Sequence, residues 1–122
     1  MIGYVTLGTN DMDRATGFYD ALLTEFGCSR AWETDRFISW SAGPDAQLLL
    51  VIKPYDGEPA TVGNGSMVAL AAKSKAQVDA VHAKALALGG KDEGAAGPRG
   101  DGFYAGYFRD LDGHKLAVYF IG

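Results

Sequence analysis

The stretch FRDLDGHKL, Phe108–Leu116, decides how the fold of this chain is interpreted. Apolar segments with the composition of β-strands lie on both sides of its centre, at 103–108 and 114–121. Between them, Asp110–Gly113 combines two aspartates with a glycine, which are residue types that favour a tight turn. The sequence therefore predicts a strand, a turn and a second strand over this region.

An amphipathic helix is predicted upstream of this unit, at 74–89. It begins with Ser74–Gln77, a capping box in which the serine and glutamine side chains accept hydrogen bonds from nearby backbone amides. Gly89 and Gly90 are expected to end it. Its apolar stripe consists of Val78, Val81, Ala85 and Leu88.

A second amphipathic helix is predicted near the start of the chain, at 11–27. Asn10 or Asp11 can cap its first turn, and Gly27 suits the left-handed position after its end. Its apolar stripe consists of Ala15, Phe18, Tyr19, Leu22, Leu23 and Phe26.

The two halves of the chain share one plan. A shift of 63 residues pairs Tyr4 with Met67, Val5 with Val68, Leu7 with Leu70, Leu23 with Leu86 and Gly27 with Gly90. Four of these five pairs are identities, and the expected starts of strands and ends of helices agree as well. We interpret the pattern as an internal duplication.

Strands are predicted on both sides of the helices. They cover Tyr4–Leu7, 36–41, 46–53 and Met67–Ala72, in addition to the two strands of the closing unit. Pro54–Gly65 is rich in Gly and Pro and is predicted to be a linker. Since neither half is expected to bury its sheet face alone, residues 1–122 are predicted to form one domain, with module 1 at about 1–55 and module 2 at about 66–122.

Composition excludes several classes of protein. The 122 residues carry a formal charge of −4 and no basic stripe, so nucleic acid is not an expected partner. The start has no signal-peptide pattern, and apolar runs such as Leu48–Ile52 are too short to span a membrane. We therefore expect a soluble protein. A single cysteine can form no internal disulfide, which favours the reducing cytoplasm as its location.

Three motifs together resemble the vicinal oxygen chelate superfamily, which includes glyoxalase I, bleomycin-resistance proteins and extradiol dioxygenases. In FRDLDGHKL an aromatic residue precedes Asp-x-Asp-Gly and a final strand. The first strand and helix of that superfamily match Tyr4–Leu7 and Asp11–Tyr19, and the start of its second module matches Gly65–Leu70. The resemblance spans essentially the whole chain. It implies an α+β fold of two tandem βαβββ modules that form a curved mixed sheet, a cup, with the helices outside.

The resemblance also implies that a ligand would bind inside this cup. Strand alternation then separates inward-facing from helix-facing side chains. The predicted ligand-binding residues are Tyr4, Thr6, Trp40, Met67, Arg99, Tyr104, Tyr107 and Tyr119. The aromatic side chains among them suit a small-molecule site, and the alternative is that they simply fill the interior of the sheet.

Enzymes of the superfamily hold one divalent ion through His, Glu or Gln side chains. Three of the ligand positions match Tyr4, Met67 and Ala117, and the fourth falls at about 48–51, where there is no acidic or imidazole group. None of these side chains suits a hard divalent ion. The usual metal site is therefore predicted to be absent, and no cofactor is predicted. His82 is expected to be a partly exposed residue of its helix.

The glycine-rich segment 89–106 is predicted to be a loop, and it contains seven of the 17 glycines. One hypothesis is that it closes over the cup, with Arg99 meeting an anionic or polar group of the ligand. The alternative is a solvated arginine on a mobile loop. Lys53 and Arg36 could also supply positive charge.

Three functions remain open on the sequence alone. The first is metal-independent binding of a small, partly aromatic or polar molecule, as in the bleomycin-resistance branch, where the resemblance implies a homodimer. The second is a glyoxalase-like lyase or isomerase with an atypical site, in which Tyr4 and Tyr119 would be the proton donors. The third is a non-catalytic interaction module that keeps the fold without the chemistry.

Overall fold

Each half of the chain folds in the predicted order of one strand, one helix and three further strands. The computed structural model describes residues 1–122, which divide into two compact units, Met1–Thr61 and Val62–Gly122. The boundary falls within the predicted linker. The α+β class and the two βαβββ modules are confirmed.

The first unit is a four-stranded sheet with one helix. Its elements are β1 (Tyr4–Gly8), α1 (Met12–Leu22) with a 3₁₀ turn at Leu23–Phe26, β2 (Ser29–Glu33), β3 (Phe37–Ser41) and β4 (Leu48–Ile52). The strand order is β1-β4-β3-β2, with β1 parallel to β4 and the other pairs antiparallel. The parallel pair requires a crossover, which α1 is part of.

The second unit repeats this topology. Its elements are β5 (Val68–Ala71), α2 (Lys75–Ala87), β6 (Lys91–Pro98), β7 (Phe103–Arg109) and β8 (Lys115–Ile121). The strand order is β5-β8-β7-β6, and the parallel pair is again the first strand with the last. The same order in both units agrees with the duplication inferred from the sequence. Neither helix is long and apolar enough to cross a membrane.

Both helices begin at the predicted caps. The Asp11 carboxylate accepts a hydrogen bond of 3.0 Å from the backbone amide of Arg14. The Ser74 hydroxyl accepts one of 3.1 Å from the amide of Gln77, whose side-chain oxygen accepts one of 2.7 Å from the amide of Lys73. These contacts satisfy amides that have no partner within the helix.

The paired glycines at the two helix ends have different physical roles. Gly27 has a φ of 70°, the left-handed conformation expected after a helix, and in the second unit Gly89 takes this role with a φ of 100°. Gly90 is needed for space, because a Cβ there would lie 2.8 Å from the carbonyl oxygens of Ala85 and Arg109. The identity of Gly27 and Gly90 in the repeat therefore does not mean a shared role.

The turn of FRDLDGHKL forms as predicted. Asp110 is 6% exposed, and its Oδ1 accepts hydrogen bonds from the amides of Asp112 (3.0 Å) and His114 (2.9 Å). Gly113 completes the turn with a φ of 93°. The flanking Phe108 and Leu116 lie opposite each other in the β7–β8 ladder and are fully buried. The motif thus joins a polar turn to the core.

The prediction of a loop over the glycine-rich segment is wrong. Lys91–Pro98 of this segment form β6, an edge strand that pairs with β7 with irregular register on both sides of Gly94, and the last residues of the segment begin β7. Backbone hydrogen bonds to β7 hold this strand, so it needs little apolar side-chain burial of its own. Strand β2, the edge strand of the first sheet, was likewise not predicted from the residues themselves.

Candidate ligand-binding faces

Each sheet has a helix-facing side and an opposite side, which we call its open face. A cavity of about 320 Å³ lies on the open face of the first sheet. It is lined by Tyr4, Thr6, Trp32, Phe37, Ser39, Leu48, Leu50 and Ile52. No lining residue is charged, and three are aromatic. The surface is therefore suited to an uncharged, partly aromatic molecule.

Strand register brings these lining residues to one face. Tyr4 lies beside Leu48 and Thr6 beside Leu50 in the parallel β1–β4 pair. On the other side of β4, Ser39 lies opposite Leu50. Because side chains directly across a ladder project to the same face, the prediction that Tyr4 and Thr6 share a face is consistent with this placement.

Trp32 lines this cavity but was not predicted from the sequence. The β2–β3 register shifts between Arg30 and Glu33, so Trp32 has no regular ladder partner. The buried Ser39 hydroxyl replaces that partner, accepting from the Trp32 amide at 3.0 Å and donating to its carbonyl at 3.4 Å. This contact fixes the strand at the point where the Trp32 side chain, 66% exposed, reaches the cavity.

Trp40, a predicted ligand-binding residue, lies on the helix-facing side of the first sheet. Its indole Nε1 donates a hydrogen bond of 2.8 Å to the Asp20 carboxylate of α1, and its ring centroid is 5.7 Å from that of Tyr19. The side chain is 2% exposed and does not line the cavity. Arg30 also binds Asp20, and the two donors lower the pKa of that carboxyl.

In the second unit, Tyr107 and Tyr119 lie on the open face and Tyr104 does not. Tyr119 stacks on Phe103 with 5.7 Å between ring centroids. The Tyr104 hydroxyl donates a 2.6 Å hydrogen bond to Asp79 of α2, which raises the pKa of the tyrosine. Tyr104 is therefore engaged with the helix, on the side away from Tyr107.

Two further predicted residues lie at strand ends. Met67 precedes β5 and is 45% exposed. Arg99 follows β6 and folds back along it, with its guanidinium 5.5 Å from the centroid of the Tyr107 ring. Its side chain thus lies on the open face of the second sheet.

His82 packs between α2 and its sheet, away from the open face. His82 was expected to be partly exposed, but it is buried at 7%, and its Nε2 is 3.1 Å from the Asp92 carboxylate and 3.2 Å from the carbonyl of Tyr107. Its ring packs against Gly106, where a Cβ would lie 3.0 Å from it. The amide of His114 belongs to the closing turn.

Comparison with known proteins identifies the family. The family model of the glyoxalase/bleomycin resistance protein/dioxygenase superfamily matches residues 1–118. The chain belongs to this superfamily. The crystal structure of a glyoxalase/bleomycin resistance protein from Albidiferax ferrireducens shares 35% sequence identity, covers 100% of this chain and 99% of that one, and superposes with a TM-score of 0.90.

Two more distant structures show the same fold. A glyoxalase-related enzyme from Fulvimarina pelagi is 21% identical over 98% of this chain and 87% of that one, with a TM-score of 0.77. Lactoylglutathione lyase from Agrobacterium tumefaciens is 24% identical over 98% of this chain and 92% of that one, with a TM-score of 0.73. No curated protein sequence matches the chain.

The divalent ion of the superfamily's enzymes does not fit the residues present here. At the corresponding positions, Tyr4 offers a neutral phenol, Met67 a thioether, and Ala117 only a buried methyl group. Residues 1–122 contain no cluster of three or more His, Cys, Asp or Glu side chains arranged to hold an ion. The side chains at these positions therefore do not fit a divalent ion.

Proposed function

We propose that this member of the superfamily binds a small, mostly uncharged aromatic molecule on the open face of its first sheet, without a protein-bound metal. The observation that carries the proposal is the cavity of about 320 Å³, whose lining combines Tyr4, Trp32 and Phe37 with aliphatic side chains of β4. This volume lies at the lower end of small-molecule pockets. A ligand of one or two rings would suit it.

The polar groups of this cavity are hydroxyls, which can orient a ligand by hydrogen bonds but cannot neutralise a charge on it. The Thr6 and Tyr4 hydroxyls can each donate or accept one hydrogen bond to a ligand. The Ser39 hydroxyl is already engaged with the Trp32 backbone. Apolar contact should therefore supply most of the binding free energy. Met67 and Tyr119 remain proposed ligand contacts of the second unit.

Replacement of Tyr4 tests this proposal with a matched control. Tyr4 is 63% exposed and lines the cavity, whereas Tyr55 is 94% exposed and does not. With prodan, an uncharged naphthalene fluorophore, as the aromatic probe, we expect Tyr4→Ala to weaken binding about tenfold and Tyr55→Ala by less than about twofold. Fluorescence titration measures both, and circular dichroism checks that the variants fold.

Several outcomes would contradict the proposal. Equal affinity of the probe for wild type, Tyr4→Ala and Tyr55→Ala would show that it does not bind in this cavity. Failure of the probe and of a broad panel of small aromatics to bind would favour a non-catalytic module. Stoichiometric Ni, Zn, Fe or Mn in the purified protein, with activity on a methylglyoxal–glutathione adduct, would overturn the metal-independent assignment in favour of a lyase.

We further propose that the chain forms a homodimer. Support comes from two large apolar side chains, Tyr4 and Trp32, which line the same cavity of the first unit and are each more than 60% exposed. Apolar side chains grouped in this way are typical of surfaces that become covered. Sedimentation velocity should give twice the chain mass of 12.9 kDa. A monomer at all micromolar concentrations would refute the dimer.

A further inference from the structure

The open face of the second sheet places two cations against one aromatic ring. The Arg99 guanidinium carbon and the Lys115 ammonium nitrogen each lie 5.5 Å from the centroid of the Tyr107 ring. Cations approach aromatic rings because the ring face carries partial negative charge, which stabilises them without neutralising them. Both charges therefore remain available to an anion.

The glycines of β6 form the surface on which Arg99 lies. A Cβ at Gly94 would be 3.0 Å from the Tyr107 ring and 3.4 Å from the Arg99 guanidinium, and one at Gly97 would also be 3.4 Å from that group. A side chain at Gly94 would crowd the Tyr107 ring, whereas 3.4 Å is an ordinary van der Waals distance to the arginine. Gly94 thus has a local physical reason, and Gly97 leaves the arginine in contact with the strand backbone.

Backbone carbonyls hold the Arg99 side chain in place. Its guanidinium donates hydrogen bonds to the carbonyls of Ala95 (2.6 Å), Gly97 (3.1 Å) and Pro98 (3.3 Å). Carbonyl acceptors carry no net charge, so the arginine keeps its full positive charge. A guanidinium has five N–H donors, and these three hydrogen bonds leave donors free for a ligand. The group is therefore both oriented and unneutralised.

The surrounding charges are mostly positive. Lys91, Arg109 and Lys115 lie side by side across β6, β7 and β8. Glu93 binds Arg109 at 2.6 Å, and this hydrogen bond, with the charges of Lys91 and Lys115 nearby, lowers the pKa of Glu93. One carboxylate thus faces several cations, in a chain whose overall formal charge is −4. The composition of the chain does not explain this local excess.

We propose that the open face around Tyr107, where Arg99 and Lys115 each lie 5.5 Å from the ring centroid, binds an oxyanion, the carboxylate or phosphate group of a small ligand. Arg99 offers planar paired donors and Lys115 a point charge, and either kind of donor suits both groups. The site shares no residue with the aromatic cavity in the first unit, so each proposal can fail without the other.

Titration with two simple anions tests this site. Inorganic phosphate and benzoate would each be added to ¹⁵N-labelled protein, with sodium chloride used to keep the ionic strength constant. We expect amide shifts centred on 94–99, Tyr107 and Lys115. Stronger shifts with phosphate would assign a phosphate group and stronger shifts with benzoate a carboxylate, whereas shifts dispersed over the chain, or none with either anion, would overturn the proposal.

Charge-removing variants give the quantitative test. The double variant Arg99→Gln/Lys115→Gln should raise the Kd of the better anion about tenfold or more, since it removes two charged donors. The matched control is Lys75→Gln, because Lys75 also lies over a tyrosine ring, 5.8 Å from that of Tyr104, on the helix-facing side. This control should change the Kd by less than about twofold. Equal effects of the double variant and the control would contradict the assignment.

Discussion

Trp40→Ala is expected to destabilise the protein by about 3–5 kcal/mol, the range typical of large aromatic truncations in a core. The side chain is 2% exposed, packs against Tyr19 and donates its indole hydrogen bond to Asp20. The substitution leaves a cavity beneath α1 and removes the link between helix and sheet. Thermal unfolding followed by circular dichroism should show a Tm lower by roughly 10–20 °C.

The other tryptophan of the chain provides the control. Trp32 is 66% exposed, so Trp32→Ala should change the free energy of unfolding by no more than about 0.5 kcal/mol. If both tryptophan variants lost similar stability, the placement of Trp40 in the core of the first unit would be incorrect. The same pair separates stability from binding, since only Trp32 lines the cavity.

Trp40→Phe removes the hydrogen bond to Asp20 together with part of the buried ring. The pH dependence of the lost stability separates these two contributions. Arg30 and Trp40 lower the pKa of folded Asp20, so its charge stabilises the fold above the unfolded pKa of about 3.9, and this contribution is lost as pH falls through the folded pKa. The part of the Trp40→Phe deficit due to the hydrogen bond should therefore be present at neutral pH and shrink in acid. A deficit independent of pH would assign the whole loss to packing.

Asp110→Ala is the second substitution with a large expected effect. The buried carboxylate accepts hydrogen bonds from the amides of Asp112 and His114, and these amides lose their acceptor in the variant. Since two part-buried donors left without an acceptor are costly, we expect a loss of about 2–3 kcal/mol. Chemical denaturation monitored by tryptophan fluorescence and circular dichroism measures it.

Asp110→Asn is the matched control for this turn. Asparagine keeps a side-chain oxygen that can accept both hydrogen bonds but lacks the charge that strengthens them. The expected loss is roughly 1 kcal/mol, smaller than that of alanine. An equal loss in the two variants would show that the charge of Asp110, and not its acceptor geometry, stabilises the turn.

The elements that the sequence predicted are those with strong local signals. Asp11 and Ser74 cap the helices because their side chains reach amides in the following turn, a contact within a few residues. The closing turn likewise depends on contacts between Asp110 and residues at most four positions away. Local chemistry of this kind is present in the sequence itself.

Strand β6 was not predicted from the sequence, because it is stabilised by hydrogen bonds to a neighbouring strand and not by its own side chains. Its glycines offer no apolar alternation, and the hydrogen bonds that hold it come from β7. The same holds for β2, whose five residues are all exposed. An edge strand buries little of its own surface, so its sequence carries little of the signal that identifies it.

Placement of the two tryptophans required the tertiary structure. In Phe37–Ser41 large apolar side chains occur at odd and even positions, so alternation does not say which of them face the helix. Pairing with β4 decides it: Phe37 and Ser39 share the open face with Leu50 and Ile52, and Trp40 packs under α1. The register shift in β2 then brings Trp32 to the cavity.

The sequence alone determined the family and the two-module plan, because their motifs are spread along the whole chain and recur after 63 residues. It also determined the helix caps and the closing turn, because these depend on contacts between residues near one another in the chain. Through the resemblance it further predicts that the metal-ligand positions lack suitable side chains. The selection of the aromatic residues that line a cavity, and the placement of Arg99 and Lys115 against Tyr107, became visible only in the folded chain. Those groupings depend on strand register, and a shift of one residue would turn each side chain to the other face.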